Sequence, residues 1–333
     1  MSKSDKQLKR REFIKKSLLG TGAIISVAGF KSLSAAKPTS EDWKMPMHTL
    51  GRTGEKVSKF GIGCAPFQHI SPQEVNQILT RALELGVNYL DVAPNYGNDE
   101  RGYSEEKMGP TIKEIRDEVF LVTKTEEPTR DGTWRLMEQS MERMQTDHLD
   151  MVHIHNFGWE DRFPDAQAAL GKDGTLGALQ EAREQGVIKY IAASGHLYPS
   201  RFHAALDTGE IDAVMNAVNF IVQHTYDFES KVWSRARREN LGLIAMKVLG
   251  GSSGDGFRLP EQDYERAIRY AISLEGLSTA VIGVQNVQEL ELAARTVATS
   301  ETLSEVEQHE LAQYGLKLAA TDSWKASYGT PVT

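Results

Sequence analysis

The sequence predicts one α/β domain, a (β/α)8 TIM barrel with an N-terminal β-hairpin. Three observations carry the prediction: eight short apolar or β-branched runs recur along the 333 residues, an amphipathic stretch follows each, and a turn-rich segment precedes the first. The candidate strands are Lys59–Ala65, Val87–Val92, Val119–Thr123, Asp150–His155, Tyr190–Ser194, Ala213–Val218, Leu243–Val248 and Thr279–Gly283. After the first strand, Pro72–Leu85 sets Ile78, Ala82 and Leu85 on one helical face, with Ser71 as N-cap and Pro72 at the first helical position. Further helices are expected near Glu105–Arg116, Trp134–Met144, Leu176–Gln185, Ser200–Leu206, Glu229–Asn240, Gln262–Ser273 and Val287–Val297. A last one, Ser304–Leu318, has no strand after it. His48–Val57, around Arg52-Thr53-Gly54-Glu55, reads as the hairpin. The alternative is an open doubly wound sheet. It would carry a glycine-rich dinucleotide turn after its first strand, and Gly63-Cys64-Ala65-Pro66-Phe67 lacks that pattern.

The chain divides into residues 1–36, a linker at 37–45 and the barrel domain at 46–333. The first segment reads Lys9-Arg10-Arg11-Glu12-Phe13-Ile14-Lys15, then an apolar stretch from Ser17 to Phe30, then Ser34-Ala35-Ala36. A basic region, a short apolar region and a small-residue site make a signal peptide. The paired arginines resemble the twin-arginine type, with Lys9 where a Ser or Thr commonly stands. That implies the twin-arginine export machinery as a partner, a periplasmic destination and passage of the domain already folded.

The formal net charge is -8, and residues 1–36 contribute +6 of opposite sign, so the remainder carries about -14. Such an acidic body lacks the basic footprint of a nucleic-acid binder. No apolar run reaches the ~18 residues that span a bilayer. The single cysteine, Cys64, excludes an internal disulfide and a multi-cysteine zinc site.

In a barrel, functional side chains stand at the C-terminal ends of the strands and in the loops beyond them. Four candidates occupy such places in order: Asp91 at the end of the second strand, Tyr96 in the following loop, Lys124 closing the third and His155 closing the fourth. Charges buried at one mouth must pair with each other. The set suits carbonyl reduction. Hydride addition leaves charge on oxygen, a tyrosine hydroxyl can supply the proton, and a nearby Lys⁺ favours the phenolate that remains. Asp91 would anchor Lys124, and His155 would donate a hydrogen bond that polarises the carbonyl. Tyr103 lies in the same loop and rivals Tyr96 for the acid.

Leu50-Gly51-Arg52-Thr53-Gly54-Glu55-Lys56-Val57-Ser58 resembles the hairpin that opens aldo-keto reductases. Asp91-Val92-Ala93-Pro94-Asn95-Tyr96-Gly97, followed by Ser104-Glu105-Glu106-Lys107-Met108-Gly109, is similar to that family's most specific segment. The likeness runs from about Thr49 to Val297. It implies the barrel, a reversible NAD(P)H-dependent reduction of an aldehyde or ketone, and a tetrad at Asp91, Tyr96, Lys124 and His155. It implies a nucleotide held at the mouth by Ser194, Met215, Met246, Lys247, Leu249, Gly283 and Gln285. Several of these depart from the common pattern. Gly195 follows Ser194 where an Asn is usual, Met215 replaces a Gln, and Met246 replaces a stacking aromatic. Gln285 replaces the Arg or Lys that meets a 2′-phosphate, and Ala293 replaces an adenine-contacting Asn. The resemblance implies NADP(H) as the cofactor, and because the neutral Gln285 gives up a charge-assisted bond to a 2′-phosphate, NAD(H) stays as the alternative. Asn286 and Glu289 are expected to cap the helix beyond.

Two other classes stay open at this point. One is a nucleotide-binding redox sensor or partner subunit with little turnover. The other is a metal-dependent barrel hydrolase, since His153 and His155 share one side of a strand. Phe67, Trp159 and Phe163 are candidate apolar walls of a substrate pocket, and Trp324–Tyr328 is a candidate cover for the mouth.

Overall fold

The eight predicted runs form eight parallel strands that close on themselves, in the computed structural model that describes residues 43–97, 103–251 and 256–329. The expected signal segment lies outside the described residues, as does most of the expected linker. Within 37–45, Trp43 and Met45 already pack against the core. Strands β1 (Met47–Thr49) and β2 (Lys56–Ser58) pair antiparallel as the hairpin. The barrel is β3 (Phe60–Gly63), β4 (Tyr89–Asp91), β5 (Phe120–Thr125), β6 (Leu149–His155), β7 (Ile188–Gly195), β8 (Ala213–Ala217), β9 (Gly242–Met246) and β10 (Leu277–Gly283), with β10 closing on β3. Among the described residues, no helix is long and apolar enough to cross a membrane.

Strand alternation divides the apolar side chains into two groups. One set, including Tyr89, Phe120, Val122, Met151, Met215, Ile244, Met246 and Val281, fills the barrel. The other packs outward against the helices, where Val75, Ile78, Leu79 and Ala82 of helix Pro72–Glu84 are buried. That helix begins as expected, on a capping box between Ser71 and Glu74. The first strand stops at Gly63, short of the expected Ala65, because Pro66 has no N–H for a ladder and the chain turns into a 3-10 helix at Ala65–His69. Helix Arg130–Met144 starts before the expected Trp134, since the Thr129 hydroxyl caps it by accepting from the Gly132 N–H. The expected helix Glu229–Asn240 is a π-helical turn, Glu229–Trp233, running into the short α-helix Ser234–Arg238. The wide turn accompanies Trp233, whose indole N–H donates to Asn216 Oδ1 in the core at 3.1 Å.

The hairpin motif closes the barrel's N-terminal end. Leu50 and Val57 are fully buried in the inner cluster. Gly51 has φ +50°, and a Cβ there would meet the Gly242 backbone nitrogen at 2.3 Å. The Arg52 guanidinium donates to the carbonyls of Gly209 and Ile211, each at 2.9 Å. The Tyr190 hydroxyl donates to the Thr53 carbonyl at 3.2 Å, and its ring continues the stack Tyr89–Phe120–Tyr190. Gly51 therefore serves both a left-handed turn and a backbone contact. Gly51→Ala is expected to cost about 2 kcal/mol or more in a urea unfolding titration, combining left-handed strain with the clash.

Candidate active site

Pairing forces the arrangement at the mouth. Lys124, on β5, is 1% exposed, and its Nζ donates to Asp91 Oδ2 at 2.6 Å and to the Val92 carbonyl at 2.9 Å. A buried ammonium without that carboxylate would cost several kcal/mol. Burial favours the neutral amine, but Asp91 and Tyr96 outweigh it and hold the Lys124 amine above its ordinary value. Burial also pushes the Asp91 carboxyl up, and Lys124 offsets part of that rise. The Tyr96 ring lies beside the same ammonium, with Nζ 5.2 Å from its centroid. Burial raises the Tyr96 hydroxyl, and Lys124 pulls it back only in part. The sequence expectation named the lysine's pull alone; burial is the larger of the two, so the resting hydroxyl is protonated.

The two tyrosines of the loop after β4 stand against different cations. Tyr103 lies under the Arg143 guanidinium, 4.0 Å from its ring centroid. Arg143 also donates to Glu105 Oε2 and to the Pro94 carbonyl. Glu105 is fully buried and accepts from the Thr123 hydroxyl at 2.9 Å. The Ser104 N–H returns to the Tyr96 carbonyl at 2.8 Å. Tyr103 and Glu105 thus belong to the scaffold of the loop, and Tyr96 is the hydroxyl brought to Lys124.

His155, the last residue of β6, completes the group. Its Nδ1 lies 2.8 Å from Glu126 Oε1, an ion-pair contact when the ring is protonated, and has no hydrogen-bond partner among the described residues. Burial lowers the imidazole pKa; Glu126 and Asp91 oppose that, and Lys124 adds to it. Glu126 was missed in the sequence. It accepts from Asn95 Nδ2 at 2.9 Å and from the Arg162 guanidinium. The one available signal was its spacing two residues beyond Lys124, which keeps the two on one side of an extended chain. His153 lies deeper in the same strand, fully buried, and neither ring nitrogen has a partner among the described residues. Among the described residues, no group of three or more His, Cys, Asp or Glu gathers to hold a metal ion.

The residues expected to hold a nucleotide ring the same mouth. Ser194, in β7, pairs in register with His155 on one side and Met215 on the other. Its hydroxyl is buried with no partner among the described residues. Met215 and Met246 cap the inner core. Lys247 follows β9 at φ +56°, held there by Asn219, whose Nδ2 donates to the Lys247 carbonyl at 2.9 Å. Burial lowers the Lys247 amine, and no carboxylate pairs with it among the described residues. Leu249 is half-buried against the core, and Gly283 ends β10, where a Cβ would meet Pro66 Cγ at 2.9 Å. Gln285 is exposed; its backbone N–H donates to Glu289 Oε2 at 2.8 Å. Asn286 and Glu289 form the expected cap of helix Val287–Thr299.

Two of the candidate pocket features are placed in the core. Phe67 and Phe163 are fully buried, and Phe163 packs on Phe157 at 5.7 Å, so both are core residues. Trp159 is exposed on the loop after β6. The tail helix Asp322–Tyr328 buries Trp324 against Phe257, and the Tyr328 hydroxyl donates to the Gly251 carbonyl at 2.7 Å. It thereby packs on Gly251 and Phe257, in the described parts of the loop after β9.

A family model described as the aldo/keto reductase family matches residues 59–267. The chain is 30% identical over 162 residues to an uncharacterized oxidoreductase of Bacillus subtilis, YqkF; that match covers 45% of the chain and 49% of the relative, about half its length. It is 24% identical over 313 residues to L-galactose dehydrogenase of Arabidopsis thaliana, covering 79% and 94%. The holo form of the Bacillus halodurans aldo-keto reductase AKR11C1 superposes with a TM-score of 0.67 at 21% identity, over 84% of this chain and 99% of that one, a likeness of fold.

Proposed function

Since the chain belongs to the aldo/keto reductase family, we propose that it reduces an aldehyde or ketone at the barrel mouth with Tyr96 as proton donor, and that the reaction runs in both directions. The observation that carries this reading is the buried Asp91–Lys124 pair beside the Tyr96 ring. A nicotinamide nucleotide, when bound, supplies or takes up the hydride. The mouth fits such a group. The Ser194 hydroxyl is a buried polar atom without a described partner, suited to a carboxamide, and Lys247 is a half-buried cation without a described counter-charge, suited to a pyrophosphate. Met246 and Met215 offer polarisable surface for a ring face.

In reduction, the Tyr96 hydroxyl donates to the carbonyl oxygen, and its proton passes to that oxygen as charge develops there. Lys124 stabilises the phenolate left behind, and Asp91 keeps Lys124 charged and in place. His155 orients the substrate. In the oxidative direction the phenolate takes the alcohol proton back. The relative named for L-galactose dehydrogenation supports an oxidative direction here. A reactive aromatic aldehyde with NADH or NADPH tests the assignment. The Tyr96→Phe variant is expected to lose at least about a hundredfold in turnover with nucleotide binding intact, while Tyr103→Phe keeps most of it. Loss in Tyr103→Phe alone would move the acid to the other tyrosine. Bound nucleotide with no turnover in wild type would support the sensor instead.

For the nucleotide we favour NAD(H) over NADP(H). Gln285 is neutral, and the Glu289 carboxylate occupies the turn where a 2′-phosphate would approach. Two anions at that turn repel. Fluorescence titration is expected to show tighter binding of NADH than NADPH in wild type. Gln285→Arg should improve NADPH by about tenfold, ~1.4 kcal/mol. Tighter NADPH binding in wild type would reverse the assignment.

A further inference from the structure

We propose that Asn156 shares with Ser194 the binding of the nicotinamide carboxamide, through a side-chain amide that a bulge at the end of β6 sets at the mouth. This deepens the reading above and rests on it for the presence of a nucleotide.

Strand β6 ends irregularly. His155 pairs in register with Ser194 of β7. The Ser194 carbonyl then accepts from the Phe157 N–H at 3.0 Å, so Asn156 stands between two tied residues and outside the ladder. Its backbone is left-handed, with φ +56°, and its carbonyl accepts from the Trp159 N–H at 2.7 Å. An extra residue in a strand bends the chain and re-aims a side chain, and asparagine takes the left-handed angle more readily than most residues. The residues beyond are held as well. Phe157 is buried against Phe163 and Phe202, and a Cβ at Gly158 would run into the Leu197 carbonyl. Asn156 is thus fixed on both sides.

Its side chain carries a polar group that the fold does not satisfy. Asn156 is 7% exposed, and its Oδ1 is buried without a partner among the described residues. The Ser194 hydroxyl, on the adjacent strand end, is in the same condition. An unpaired buried acceptor is costly, and a ligand that donates to it offsets the cost. The other neighbours of Ser194 offer no amide. Gly195 has no side chain, and a Cβ there would meet Phe202 Cζ at 2.9 Å. Met215, its register partner on β8, carries a thioether. Asn156 supplies from β6 what those two positions lack. A carboxamide has one donor group and one acceptor, and it matches the pair: its NH2 donates to Asn156 Oδ1, and its carbonyl accepts from the Ser194 hydroxyl.

The test is a fluorescence titration of the full chain with NAD⁺ and with 3-acetylpyridine adenine dinucleotide, a methyl ketone that keeps the carbonyl and lacks the NH2. Wild type is expected to bind NAD⁺ at least about tenfold more tightly than the analogue. Asn156→Gly keeps the left-handed angle and removes the amide. It should weaken NAD⁺ by about tenfold and leave the analogue nearly unchanged, so that the preference disappears. Asn156→Asp, which retains an acceptor, should restore part of the preference. Ser194→Ala should weaken both ligands alike. Thermal melts by circular dichroism check that each variant is folded. Equal binding of the two ligands by wild type, or a preference that survives in Asn156→Gly, overturns the proposal and leaves the reductase reading standing. A wild type that binds neither ligand, nor NADP⁺, overturns both.

Discussion

An ammonium group inside a barrel mouth is tolerable only with a carboxylate against it, and the Lys124–Asp91 contact at 2.6 Å is the constraint on which the rest of this site depends. It fixes two adjacent strand ends relative to each other and leaves one cation aimed at the ring of Tyr96. The loop that carries Tyr96 is built to match. Glu105 is buried beneath it, Arg143 ties Glu105 to the Pro94 carbonyl, and the chain returns through Ser104 to the Tyr96 backbone. The hydroxyl is thus delivered by scaffold contacts, and its protonation is set by burial against the pull of one lysine.

The same logic extends around the mouth. Glu126 sits at the junction of three elements, in contact with Asn95 from the Tyr96 loop, Arg162 from the loop after β6 and His155 from the strand between. Lys247 is held at a left-handed backbone angle by Asn219, which also accepts the Ile221 and Val222 N–H groups. Such strain persists where surrounding bonds over-determine it, commonly at functional positions. Far below, the hairpin closes the other end, so the interior is a packed core open to chemistry on one side only.

Much of this was legible in the sequence because it depends on local alternation. All eight strands lie where apolar runs predict them, and the order Asp91, Tyr96, Lys124, His155 follows from counting strand ends. What stayed hidden depends on long-range packing. Tyr96 and Tyr103 share a loop, and only Arg143, from a different helix, separates them. Glu126 lies in Glu126-Glu127-Pro128, where a charge reads as ordinary loop polarity, and its partners are 31 and 36 residues away. Phe67 and Phe163 look like pocket walls from their loops, but neighbouring aromatic rings and helices bury them. Periodicity also cannot distinguish a π turn from an α turn at Glu229–Trp233.

The central claim is that burial keeps the Tyr96 hydroxyl protonated while Lys124 stands ready to stabilise its anion. Its direct measurement is the titration of Tyr96 by NMR in tyrosine-labelled protein, assigned with Tyr96→Phe and repeated in Lys124→Met. The account predicts a wild-type value above the ordinary ~10 of tyrosine, moving higher still when the lysine is removed. A value at or below ~10 that ignores the loss of Lys124 would contradict it.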